Sequence, residues 1–152
     1  MLAVTHEPVD GDDPLPSRLV HDPEVPDQVE ELLHASGLRP HWLVLELTET
    51  AVMADPARSV ETLSRLEGMG VGLSIDDCGT GYSPLAYLKR LPLHEIKIDK
   101  SFVMNMTADD NDAVIARSTI HLGQSLRLRV VAAGVETAMV WDRLAAMGCD
   151  LG

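Results

Sequence analysis

Aromatic side chains are scarce in this 152-residue sequence: Trp42, Trp141, Tyr82, Tyr87 and Phe102 are all of them. Hydrophobic residues nevertheless make up 45%, so the core has to be aliphatic, and the chain is too apolar to be disordered. Basic residues are also few, 12 against 24 acids, for a net charge of −12. That balance excludes a binder of nucleic-acid polymers, which needs clustered Lys and Arg. No 18-residue apolar run is present, so no transmembrane helix and no membrane role are expected. The opening stretch MLAVTHEPVDGDDP has neither a basic start nor an apolar core and does not read as a secretory signal. Two cysteines, Cys78 and Cys149, are too few for a disulfide scaffold. Free thiols fit a cytoplasmic protein, and the length suits one domain.

What is present is an alternation. Residues 1–23, with Pro8, Pro14, Pro16 and Pro23 and acids at Asp10, Asp12 and Asp13, read as irregular. Val25, Val29, Leu32 and Leu33 then recur at helical spacing, stopped by Gly37. WLVLELTE at 42–49 reads as a buried strand. Pro56 opens a helix with Val60, Leu63, Leu66 and Met69 as its inward stripe. Further strands are expected at 71–77, 94–100 and 129–135, separated by helices at 83–90 and 109–126, and a last helix runs from a Thr137 cap to Met147. In the 109–126 helix Ala113, Ala116, Ile120 and Leu122 are the inward candidates. Strands alternating with helices predict βαβ units and a parallel sheet.

The chemistry gathers at the carboxyl end of each strand: Glu46 and Glu49, then Asp76 and Asp77, then Lys97 and Asp99, and finally Glu136. Parallel α/β folds and barrels bind ligands at that end. Taken singly, such an acid is most often a helix cap or turn residue. Taken together, the acids would repel one another without a cation between them. Hard divalent ions such as Mg²⁺ or Mn²⁺ suit oxygen ligands, and a paired metal site suits in-line attack on a phosphodiester. Lys97, in a strand-rich interior, needs acids or a phosphate beside it, whereas Lys100 reads as a snorkelling surface lysine. In DDCGTGYS at 76–83, Gly79 and Gly81 allow tight turning close to a ligand. No Gly-Lys-Ser/Thr follows, so it is not a P-loop, and the six histidines lack zinc spacing. Cys78 reads as a small buried hydrophobe rather than a nucleophile.

LELTET at 45–50, SIDDCGTGYS at 74–83, LPLHEIKIDKSFV at 91–103 and VVAAGVET at 130–137 resemble the motifs of the EAL domain family, in family order and spacing. The resemblance implies an α/β fold: part of a (β/α)₈ TIM-type barrel, about four parallel strands with flanking helices. It implies a partial domain over 18–152 with 1–17 outside it. The implied activity is Mg²⁺- or Mn²⁺-dependent hydrolysis of cyclic di-GMP to pGpG in bacterial signalling. It also implies roles: Glu46, Asp76 and Asp77 as metal ligands, Lys97 and Glu136 as catalytic groups, Glu49 as anchor of the DDxGTG loop, and Gly79, Thr80 and Gly81 as that substrate loop.

Departures from the family pattern point the other way. The E-A-L glutamate has no counterpart, and a ligand asparagine should fall near Pro14, whose side chain cannot coordinate. Ala133 replaces the first glutamate of A-E-G-V-E-T, and Cys78 replaces a usual phenylalanine. The expected state is therefore a weak metal binder with impaired or absent turnover. Alternatives are a non-catalytic module that binds cyclic di-GMP or another protein, or a gene remnant. Strands 43–47 and 129–133 are expected to have open edges, so self-association or a partner chain should cover them.

Overall fold

A computed structural model of the chain describes residues 2–3, 19–78 and 85–150. They form the expected architecture, four parallel strands with flanking helices, and divide into two compact units.

The first unit holds residues up to Ser74 together with 83–93. Its elements are β1 (Leu2–Ala3), α1 (Val25–Ser36), a 3₁₀ turn (Pro40–Trp42), β2 (Leu43–Thr48), α2 (Glu49–Met53), α3 (Pro56–Gly68), the start of β3 (Gly72–Cys78) and α4 (Leu85–Leu88). β1 pairs parallel with β2, Leu2 opposite Leu43 and Ala3 opposite Val44. This corrects two expectations. The first 17 residues are not irregular throughout, and β2 does not lack an earlier neighbour at those two rungs. Two extended residues are enough to take up edge hydrogen-bonding groups, yet too short to leave a periodic signal. β2 and β3 approach closely: a side chain at Gly72 would stand 3.0 Å from Val44 Cγ2. β2 itself is less buried than its apolar run predicts, with only Leu47 fully inside. Trp42 precedes the strand and is 50% exposed, with the Arg39 guanidinium 5.6 Å over its ring. Leu32, expected on the buried side of α1, is exposed.

α3 shows why a stripe read from apolar residues alone drifts. Asp55 caps it by accepting the Arg58 N–H at 3.2 Å, and Pro56 stands in the first turn. The buried positions are Ser59, Thr62, Leu63 and Leu66, while Val60 and Met69 are half-buried. Ser59 tolerates burial because its hydroxyl has carbonyl acceptors, Val52 at 2.8 Å and Asp55 at 2.9 Å. Its single proton is committed to them, so the His21 Nε2 at 3.1 Å donates to the Ser59 oxygen. Arg65 holds the same entering segment, donating to the Pro23 carbonyl at 2.8 Å and to Asp27 at 2.6 Å.

The second unit comprises the end of β3 from Ile75, β4 (Glu95–Ile98), α5 (Lys100–Asn105), α6 (Asp110–Leu126), β5 (Arg129–Ala132) and α7 (Ala138–Met147). β4 and β5 pair parallel, with Glu95 opposite Arg129 and Ile98 opposite Ala132. Ile98, Val130 and Ala132 pack with Val103, Met106, Ala113, Ala116, Ile120, Val140 and Leu144 into one aliphatic cluster. The inward reading of α6 holds for Ala113, Ala116 and Ile120, whereas Leu122 is half-buried and Thr119 and Gly123 are inside. β5 stops at Ala132 rather than running to 135, because Gly134 turns the chain at φ 76°. On the side of β5 away from β4, the Val130 N–H donates to the Asp150 carboxylate at 2.7 Å, and its carbonyl accepts from the Asp150 N–H at 2.9 Å.

Gly123 brings α6 against β5: an added Cβ there would stand 2.3 Å from Val130 Cγ2. Gly123→Ala should therefore destabilise the chain by about 1–3 kcal/mol through overpacking. Chemical denaturation should also show that Val130→Ala in the same molecule recovers part of that loss, since it removes the methyl groups in the way. Equal stability of Gly123→Ala and the parent would contradict the close approach.

Candidate active site

Side chains alternate across β4. Ile96 and Ile98 are buried, while Glu95 and Lys97 take the opposite face. The period of two therefore puts the lysine away from the aliphatic cluster without breaking the strand. Lys97 Nζ stands 4.0 Å from Asp76 Oδ2, the side chains being 20% and 32% exposed. That distance is an ion pair rather than a direct hydrogen bond. It meets the need of Lys97 for an acid beside it.

The other sequence-selected residues divide by unit. Glu46, in β2, is half-buried and engaged in an interaction. Glu49 does not end a strand; it opens α2, whose Thr48 cap accepts the Ala51 N–H at 3.3 Å. Glu49 is only 5% exposed, and its Oε2 has no hydrogen-bond partner among the described residues. The first turn of a helix favours a carboxylate electrostatically but leaves that oxygen's lone pairs unmet. In the second unit Glu136 lies exposed in the turn after β5, just before the Thr137 cap of α7. Ala133 is half-buried and donates its N–H to the Ile98 carbonyl at 3.3 Å. The side chain of Asp77, and Gly79, Thr80 and Gly81 entirely, lie outside the described residues.

Asp99 illustrates the simpler fate of a strand-end acid. It caps α5, accepting the Ser101 N–H at 2.7 Å. Among the described residues no group of three or more His, Cys, Asp or Glu stands close enough to hold a metal ion. In kind, the carboxylates of Glu46 and Asp76 fit a hard divalent cation. The sequence reading missed the Arg129–Glu95 pair at 2.5 Å, in which Glu95 is only 12% exposed. Its signal appears only once the parallel register places those residues opposite each other.

A family model described as EAL domain matches residues 12–152. The chain is 46% identical over 124 residues to the bifunctional diguanylate cyclase/cyclic di-GMP phosphodiesterase MucR of Pseudomonas aeruginosa, covering 82% of this chain and 18% of that protein. Among solved structures, the PaMucR phosphodiesterase in complex with c-di-GMP is similar at a TM-score of 0.85 and 43% identity, covering 89% of this chain and 55% of that one. A manganese/cyclic di-GMP complex of Klebsiella pneumoniae BlrP1 is similar at 0.77 and 35% identity, covering 89% and 34%, and a calcium complex of the same protein is similar too. The chain spans less than a fifth of its MucR relative and about half of the first structure.

The partly exposed Lys97–Asp76 pair should be worth about 1 kcal/mol or less to folding. Lys97→Met should therefore leave the thermal unfolding midpoint within a few degrees of the parent (roughly 2–4 °C). A larger loss would make Lys97 a structural lysine.

Proposed function

The chain belongs to the EAL domain family, and from that membership we propose that it is a cytoplasmic cyclic di-GMP signalling protein with impaired phosphodiesterase chemistry. Its four parallel strands with flanking helices are part of the TIM-type barrel of that family. The partial domain proposed runs over 18–152, inside the matched span. Among the described residues no helix is long and apolar enough to cross a membrane.

The observation that carries this reading is the placement of Lys97 beside Asp76, at the carboxyl ends of neighbouring strands. In the proposed site Glu46, Asp76 and Asp77 would hold Mg²⁺ or Mn²⁺. Bound metal would neutralise charge on the phosphodiester and lower the pKa of water. Lys97, beside Asp76, orients the attacking water or a phosphate oxygen as an ammonium donor. Glu136, exposed in the turn after β5, is the second proposed catalytic group. The Oε2 of Glu49, without a partner among the described residues, supports its proposed assignment as anchor of the Gly79-Thr80-Gly81 loop, whose N–H and hydroxyl groups are donors.

Ala133 is the residue on which impairment rests. A methyl group at the strand end replaces an acid that would bind metal or take a proton, and such a loss removes several kcal/mol of transition-state stabilisation. The same substitution favours the second reading, a module that binds cyclic di-GMP without turning it over. Self-association, or a partner chain on the strand edges not already covered by Leu2–Ala3 and Asp150, is part of the proposal.

Incubation of the purified chain with cyclic di-GMP and Mn²⁺ should yield little or no pGpG. Calorimetry should show weak divalent-ion binding, further reduced by Asp76→Asn. Ala133→Glu alone should not restore turnover, because Pro14 still occupies a ligand position. Robust Mn²⁺-dependent pGpG production by the parent chain would overturn the impairment. Ligand binding without product would select the second reading.

A further inference from the structure

Two arginines and a histidine converge on one cleft of the first unit, although the chain as a whole carries −12. The cleft is lined by His21, Pro23, Arg58, Glu61, Thr62 and Arg65, encloses about 220 Å³ and shares no residue with the candidate active site. Positions 58, 61, 62 and 65 lie on one face of α3 by helical spacing. The entering segment pinned by His21 and Arg65 closes the other side.

Each lining group is placed for a different part of one task. Arg65 is held by the Pro23 carbonyl and Asp27, yet keeps Nε–H and one further N–H on each terminal nitrogen. A pinned guanidinium with spare donors is preorganised for a planar oxyanion edge. Arg58 is loosely tethered, its Nε 3.5 Å from Asp55 with the side chain 68% exposed, and can swing to close over a ligand. Thr62 is only 3% exposed and lines the cleft, and a threonine hydroxyl can donate to an oxyanion there. Glu61 is the only carboxylate in the lining, against two guanidiniums.

We propose that this cleft binds a phosphoryl oxyanion, free or as a monoester, with Arg58 and Arg65 neutralising its charge and Thr62 donating to one oxygen. Glu61 limits the affinity by like-charge repulsion. The proposal is independent of cyclic di-GMP hydrolysis. Titration of the full chain with inorganic phosphate at fixed ionic strength, followed through the His21 ring resonances, should saturate in the millimolar range. Arg58→Ala should weaken binding about tenfold and Thr62→Val about threefold, while Glu61→Gln should tighten it. Arg58 is exposed, so its variant should retain the parent circular dichroism and keep the test interpretable. Tighter binding of phenyl phosphate than of inorganic phosphate would assign the site to an ester, and equal binding to the free ion. A titration that fails to saturate overturns the proposal, as does parent-strength binding in either Arg58→Ala or Thr62→Val.

Discussion

The parallel pairing of Glu95–Ile98 with Arg129–Ala132 is the constraint on which the second unit depends. Once Ile98 faces Ala132, alternation fixes everything else along those two strands. Ile96, Ile98, Val130 and Ala132 must bury, and Lys97 must turn the other way. A slip of one residue would turn Lys97 to the buried face and bring Ile96 and Ile98 out of it. The Arg129–Glu95 pair and the absence of a side chain at Gly123 both reinforce that register. The candidate catalytic lysine is thus positioned by the hydrophobic face it does not belong to.

Burial of charge follows one logic in the second unit. Lys97 is half-buried with an acid across from it, and Glu95 is nearly buried with an arginine over it. Glu49 departs from that logic, with a buried carboxylate oxygen lacking a partner among the described residues.

How much of this was legible in the sequence depended on the physical signal. Short apolar runs ending in acids marked all four principal strands, and Pro56, Thr137 and Gly37 marked helix ends because each acts through its own backbone chemistry. The buried stripe of α3 lies one step off the apolar one, since Ser59 is buried by hydrogen bonding and Thr62 is small enough to follow it inside. β1 leaves no signal, because its partner lies 41 residues away and two residues have no period. The candidate site was legible as residue types at strand ends, and motif resemblance gave them roles. The division between acids that cap helices, such as Asp99, and acids that face Lys97 required the register.

Asp150 meets Val130 on the outer rung of β5 after a separation of 20 residues, while Glu95 and Arg129 meet across 34. Loop-closure entropy rises only with the logarithm of length, so these two closures differ by about 0.5 kcal/mol. That difference is smaller than a single hydrogen bond. Neither ring therefore has to wait for the other during folding. The strand, helix and return at the end of the chain form a short-range module of low contact order, able to close on itself at about the same entropic cost as the pairing that docks it.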